Sequence, residues 1–138
     1  MLKIDFVNGY NDEIGSIIDE EFNKYAKENN VTCNYTPFIF VAKENDEIIG
    51  IITGHSYYDE VHIGDLIVLK EHRHKHIGTQ LVKYVEEYYK DKNFQNINLT
   101  TYEFQALDFY KKCGYNLEYV RENKENPKLT KYFLVKYF

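Results

Sequence analysis

The sequence predicts a mixed α/β (α+β) fold around one sheet, in the order β-α-β-β-β-α-β-α-β-β. Three observations carry this. Residues 38–69 hold three short runs rich in strand formers, separated only by polar turns, which reads as a meander of antiparallel strands. The apolar period then changes to 3.6 over residues 79–89 and a strand pattern returns at 97–101, a strand-helix-strand crossover. Finally, 138 residues with 43% hydrophobic and 28% charged side chains make one ordinary core, so a single domain over 1–138 is expected.

Each element has a local reason. Ile4 and Phe6 alternate with Lys3 and Asp5, predicting a short first strand. Asn11, followed by Asp12 and Glu13, is an N-cap with acids in the first turn, and Ile14, Ile17, Ile18, Phe22 and Tyr25 lie on one helical face that ends near Asn29-Asn30. Strands follow at 38–42 and 48–52 around the polar turn 43–47, and a third at 61–69 after Asp59-Glu60. After Gly78, the positions Leu81, Val82, Val85, Tyr88 and Tyr89 make a second amphipathic helix. A strand at 97–101, a shorter helix carrying Phe104, Leu107 and Tyr110 and stopped by Gly114, and two closing strands at 115–120 and 132–137 complete the order.

Composition removes several functions. No apolar run approaches the roughly 18 residues of a spanning helix, and the start of the sequence shows no basic leader with an apolar stretch, so a cytoplasmic protein with no membrane partner is expected. Cys33 and Cys113 stand far apart with no CxxC spacing, which excludes a zinc knuckle or redox dithiol, and each is expected to be a buried thiol. The net charge of −5 is split: residues 1–69 carry 4 basic against 13 acidic side chains, and residues 70–138 carry 13 against 9. An excess that small, interspersed with acids, argues against nucleic acid but leaves room for a local anion site in the second half.

That site has a place. Strand 61–69 runs through Lys70-Glu71-His72 into Arg73-His74-Lys75-His76-Ile77-Gly78-Thr79 and straight into a helix. Unpaired N–H groups at a helix start, the helix dipole and two full positive charges make a cradle for a phosphate or pyrophosphate. Neither a Walker loop nor GxGxxG is present, so ordinary nucleotide folds are disfavoured. The triplet His72-x-His74-x-His76 suggests a metal, yet alternate side chains of such a loop diverge and no carboxylate or Cys completes a usual ligand set, so no metal is expected.

Arg73-x-x-His76-x-Gly78 with Thr79-Gln80-Leu81 resembles the pyrophosphate loop of the GNAT superfamily of N-acetyltransferases, Gln/Arg-x-x-Gly-x-Gly/Ala, with His76 standing at the first glycine. Ala106-Leu107-Asp108-Phe109-Tyr110-Lys111-Lys112-Cys113-Gly114-Tyr115 resembles that family's second segment, Ala-x-x-Phe-Tyr-x-x-x-Gly-Phe/Tyr, at the right separation, with Glu103 where the family places an asparagine. Two motifs in register, and a matching strand order, extend the resemblance over essentially the whole chain.

The resemblance implies a GNAT acyl-CoA N-acyltransferase fold and an acyltransferase that moves acetyl from acetyl-CoA to a primary amine, without a metal. It implies that Leu66, Ile67 and Val68 offer backbone groups to the pantetheine arm, that Arg73, His74, Lys75, His76, Ile77, Gly78 and Thr79 hold the pyrophosphate, and that Tyr110 serves the departing thiolate. From the residues alone Tyr110 reads more readily as core, and it is the matched segment around it that favours the thiolate role. His62 stands where some members place a glutamate base, and a regular period of 2 sets it on one face with Gly64, Leu66 and Val68 and turns Asp65 to the other. Its ordinary pKa suits proton removal from an amine. Glu60 and an ordered water remain alternatives.

The function expected is therefore an N-acetyltransferase acting on a small, cationic amine by direct attack in a ternary complex, since Cys113 has no His partner that would make it a nucleophile. The alternatives are a catalytically degenerate acyl-CoA-binding or regulatory module and a histidine-dependent metal module. A homodimer is left open.

Overall fold

The computed structural model describes residues 1–138. The chain divides into two compact units, Met1–Asn34 and Tyr35–Phe138. In the first, helix α1 (Asp12–Glu28) begins as the sequence predicts, with Asn11 Oδ1 accepting from the Ile14 amide at 2.9 Å. The strand expected over residues 3–6 is not formed, and residues 1–10 hold no helix or strand. Two alternating apolar residues are a weak signal, and a strand exists only where a neighbouring strand takes its hydrogen bonds. All six strands of the sheet come from the other unit.

The second unit contains β1 (Thr36–Glu44), β2 (Glu47–Tyr57), β3 (Glu60–Val68), α2 (Ile77–Tyr89), β4 (Asn96–Tyr102), α3 (Leu107–Lys112), β5 (Asn116–Arg121) and β6 (Lys131–Tyr137). The sheet order is β1-β2-β3-β4-β6-β5. The predicted meander is β1-β2-β3, antiparallel throughout, and the predicted crossover is β3-α2-β4, the parallel pair. β2 runs to Tyr57, well past the expected 52, because it lies between two partners that hydrogen-bond its polar end as readily as its apolar one. α3 starts at Leu107 instead of including Phe104. Residues 103–106 are held as turns by Gln105 Oε1 on the Tyr102 amide (3.2 Å) and Thr101 Oγ1 on the Ala106 amide (3.3 Å).

One face of the sheet carries the core. Leu81, Val82, Val85 and Tyr89 of α2 are buried against Phe38, Ile52, Val61, Ile63, Ile97, Leu99 and Leu134. Tyr88, predicted to share that face, is exposed, with Lys92 Nζ 3.5 Å from its ring centre. Neither cysteine is fully buried, and both are free thiols. No helix is long and apolar enough to cross a membrane.

β2 and β3 change register between Ile52 and Gly54. Ile52 faces Leu66 and Gly54 faces Ile63, so Thr53 is opposed by two residues, Gly64 and Asp65, and β3 bulges there. Gly54 permits this approach, since a Cβ on it would lie 2.0 Å from the His62 carbonyl oxygen and 2.6 Å from the Phe38 ring. The Gly54→Ala variant is therefore expected to lose about 3 kcal/mol or more of stability, read as a lowered melting temperature in thermal unfolding.

Candidate active site

β3 and β4 pair over three residues only, Glu60 with Asn96, Val61 with Ile97 and His62 with Asn98. Beyond this apex β3 stays with β2 and β4 stays with β6, so a gap opens between them. The side of β3 that faces the gap follows from the ladder. The Leu69 amide donates to the Ile49 carbonyl at 2.9 Å. Antiparallel pairing alternates, so Ile67 also turns its N–H and C=O to β2, while Leu66 and Val68 turn theirs to the gap. Of the three residues expected to offer backbone groups, Ile67 is thus already used by β2.

The bulge also corrects the faces. A regular strand would set His62 on one side with Leu66 and Val68, but the extra residue reverses the alternation after Gly64. Leu66 packs against the core with Val61 and Ile63, and Val68 lies against Gly78, whereas His62 is on the opposite face. Asp65 is tied in the bulge: its amide donates to Thr53 Oγ1 and its carboxylate accepts from that hydroxyl, both at 3.1 Å.

Between β3 and α2 lies the predicted anion loop. Lys70–His72 form a 3-10 turn, and α2 starts at Ile77 with no side-chain cap and no acid in its first turn, leaving the N–H groups of Ile77, Gly78 and Thr79 open. His74 (φ 64°) and His76 (φ 63°) are left-handed. His76 therefore takes a conformation that favours glycine, at a cost of about 1–3 kcal/mol, and its passage into the right-handed Ile77 gathers successive N–H groups in the manner of an anion nest. Arg73 Nε donates to the Val68 carbonyl at 3.1 Å, which joins the loop to the gap edge of β3. Lys75 lines a groove of about 670 Å³ with Phe40, Ile77, Gln80 and Tyr84, which lies on the α2 side of the sheet, away from His62. A Cβ on Gly78 would sit 3.3 Å from Phe109, so a methyl group there would press on that ring.

Tyr110, on α3, is 6% exposed and belongs to the core, with its ring against Phe109 and Tyr115. Burial, with a smaller effect of the Cys113 thiol, pushes its hydroxyl up to about 12. The end of α3 is held from below: Lys136 Nζ donates to the Cys113 carbonyl (3.0 Å) and to Glu86 (3.1 Å), which also accepts from the Tyr115 hydroxyl (3.0 Å). Burial and then Glu86 raise the Cys113 thiol, which keeps it protonated and a poor nucleophile. Glu103 is engaged by the Tyr132 hydroxyl.

On the other face, at the apex, the candidates His62 and Glu60 stand with three groups that sequence reasoning missed, Asn96, Asn98 and His55. His62 Nδ1 lies 2.7 Å from Asn98 Oδ1, Asn98 Nδ2 donates to Asn96 Oδ1 (2.9 Å), and Asn96 Nδ2 donates to Glu60 Oε1 (3.3 Å). His55 on β2 faces His62 with ring centres 5.3 Å apart. Asn96, Asn98 and Thr100 alternate with apolar residues along their strand, and that period-2 polar row was the signal that could have marked them. Two hollows meet here, of about 390 and 310 Å³, and both include Glu60, His62 and Asn98; the larger also has Glu118, and no Lys or Arg lines either. His72, His74 and His76 do not converge with other ligands, as no group of three or more His, Cys, Asp or Glu is arranged to hold a metal ion.

A splayed parallel pair beside an uncapped helix start, with a tyrosine on the following helix, is the architecture of an acyl-CoA-dependent transferase. The family model described as the Acetyltransferase (GNAT) family matches residues 6–115, and the chain belongs to this family. An acetyltransferase from Bacillus cereus ATCC 14579 is 27% identical, with a TM-score of 0.78 over 97% of this chain and 98% of its own. A GNAT family acetyltransferase from Elizabethkingia anophelis, with acetyl-CoA bound, is 19% identical, with a TM-score of 0.65 over 92% and 85%. The aminoglycoside 6′-N-acetyltransferase from Enterococcus faecium is 21% identical, with a TM-score of 0.63 over 73% and 74%. These last two are likenesses of fold. A comparison of the sequence with curated proteins finds no match.

The apposed imidazoles have a pH signature. Burial first, and the charge of His62 second, hold His55 below its ordinary value. The unfolded chain then binds a proton more readily, so stability is lost as pH falls below about 6.5. In thermal unfolding at pH 7 and pH 5, the His55→Gln variant is expected to show a smaller drop in melting temperature than the native protein.

Proposed function

We propose that the protein transfers the acetyl group of acetyl-CoA to the primary amine of a small, cationic acceptor by direct attack in a ternary complex, with residues 1–138 acting as one domain. The observation that carries this reading is the apex of the splayed strands. It has an open backbone edge and an anion cradle on the α2 side, and a polar cavity with an imidazole on the other. Leu66 and Val68 supply the edge along which an extended pantetheine arm would add as a further strand, and an N–H of that edge is suited to polarise the thioester oxygen. The N–H groups of Ile77, Gly78 and Thr79, the left-handed His74 and His76, and the charges of Arg73 and Lys75 suit a pyrophosphate. Glu60 and Glu118 line the cavity beside His62 without a balancing Lys or Arg, which favours a cationic acceptor.

In this mechanism His62 takes one proton from the acceptor ammonium, the freed amine adds to the acetyl carbonyl carbon, and the C–S bond breaks to leave the thiolate. The nitrogen gives its second proton to water and becomes the neutral N-substituted acetamide. Tyr110 meets that thiolate as a hydrogen-bond donor. A simple thiol ionises near 8.5, so complete transfer from a hydroxyl at about 12 would be uphill by about 5 kcal/mol. Burial thus suits Tyr110 to stabilise charge without giving up its proton, and the thiolate is reprotonated from solvent.

A second reading, a catalytically degenerate acyl-CoA-binding or regulatory module, is favoured by Glu103, whose carboxylate is occupied by Tyr132. The two separate in one assay. With acetyl-CoA and a panel of polyamines, aminoglycosides, amino acids and peptide N-termini, free CoA is expected to appear with a cationic acceptor. Tyr110→Phe is then expected to lower kcat by about 10- to 100-fold, the worth of one charge-assisted hydrogen bond. Tight acetyl-CoA binding with no CoA release from any amine would favour the degenerate module.

The catalytic base has its own test. In the kcat/KM–pH profile, the native enzyme is expected to lose activity at acid pH as His62 becomes protonated, and His62→Gln to lower the plateau and flatten that limb.

A further inference from the structure

We propose that Glu60, Asn96 and Asn98 form a directional hydrogen-bond chain that holds His62 as the Nδ1–H tautomer and leaves Nε2 as its basic nitrogen. As a statement about catalysis this rests on His62 being the base proposed above; as a statement about the imidazole it stands alone. The direction comes from chemistry. An ionised carboxylate only accepts hydrogen bonds, so the end of the Asn96 amide that meets Glu60 Oε1, at 3.3 Å, is Nδ2. Asn96 Oδ1 is then the far end, and it takes a hydrogen bond from Asn98 Nδ2 at 2.9 Å. Asn98 in turn presents Oδ1, an acceptor, to His62 Nδ1 at 2.7 Å. Only a protonated Nδ1 satisfies it.

Reversing the chain fails at its start. Turning Asn98 alone would set two carbonyl oxygens against each other, and turning both amides would set the Asn96 oxygen against the Glu60 carboxylate. Asn96 is 6% exposed, so an unsatisfied amide there would be costly. The backbone holds the spacing as well. Glu60 pairs with Asn96 and His62 with Asn98 in the short parallel ladder, so the four side chains stand as two adjacent rungs on one face. Their separations are set where the two half-sheets are joined.

The other titratable groups around His62 leave that direction unchanged. From β2 it faces His55 and, across the cavity, Tyr57; from its own strand Glu60; from β5 Glu118 and from β6 Tyr137; β4 contributes no titratable group. Asn98 Oδ1 is the contact on Nδ1. Asn98, Asn96 and Glu60 are therefore positioning residues that act through His62.

The test is nitrogen NMR on the full chain with ¹⁵N-labelled histidine, at a pH where the imidazoles are neutral, with His62 assigned by its loss in His62→Gln. The native protein is expected to show His62 Nδ1 in the protonated range and Nε2 in the lone-pair range. Asn98→Leu is expected to remove that preference, and Asn98→Asp, close in shape and able to accept the same bond, to keep it. In the kcat/KM–pH profile, Asn98→Asp should move the acid limb up by about one pH unit, because a carboxylate stabilises the imidazolium. Asn98→Leu should lower kcat about tenfold with little change in KM, as a wrong tautomer presents no base. A native His62 in the Nε2–H form, or an unchanged Nδ1–H form in Asn98→Leu, overturns the proposal. If the tautomer follows Asn98 as expected while His62→Gln leaves the pH profile of the native enzyme, the chain is supported and only the reading of His62 as base fails.

Discussion

Three parallel register pairs hold the two halves of the sheet together, and the rest of the site depends on how few they are. β3 continues past His62 on β2 alone, and β4 continues past Asn98 on β6 alone. Each half-sheet keeps one satisfied side and exposes one unsatisfied edge to the gap. Such an edge is ordinarily a liability, because it invites another strand. Here it faces inward between two half-sheets, which makes it a place for an extended ligand and restricts what can reach it. The bulge at Gly64 and Asp65 strengthens the departure by bending β3 just beyond the last pair.

The same three pairs separate two kinds of chemistry. Side chains alternate along a strand, so Val61 and Ile97 of the middle pair enter the core under α2 while Glu60, His62, Asn96 and Asn98 of the outer pairs face the opposite side. The polar cluster is thereby locked to the hydrophobic core. A slip of one residue would carry His62 into the packing of α2 and Val61 into the cavity, at the cost of burying polar groups and exposing apolar ones. On the core side lie the elements suited to anions, the uncapped α2 and the charged loop before it. On the other side acids line the cavity, Glu60 from the negative first half of the sequence and Glu118 from the second.

Much of this was legible in the residues because it is local. The capped α1, the β1-β2-β3 meander, the crossover through α2 and the strand-loop-helix anion site all depend on neighbours within a few positions. Two local signals misled. The alternation at residues 3–6 had no partner strand to complete it, and Phe104 fell on the helical stripe of α3 while side-chain bonds from Thr101 and Gln105 held its segment as turns. His76 is the subtler case. Its letter departs from the glycine that the motif carries, yet its backbone is left-handed, a conformation that favours glycine.

The sequence by itself determined the order of the elements from α1 onward and the family, and it named the loop from Arg73 to Thr79, Tyr110 and His62 as candidates, because composition, periodicity and motif spacing are properties of the chain. Only the tertiary structure decided which face His62 occupies, which of Leu66, Ile67 and Val68 turn to the gap, and that Asn96, Asn98 and His55 join the site. The reason is the bulge. A single extra residue in β3 shifts every later side chain to the other face, and it exists because Gly54 lets β2 and β3 close on each other and Thr53 binds Asp65 across them. Those contacts join residues about a dozen positions apart, and the amide chain joins strands separated by a whole helix, so no local pattern could state them.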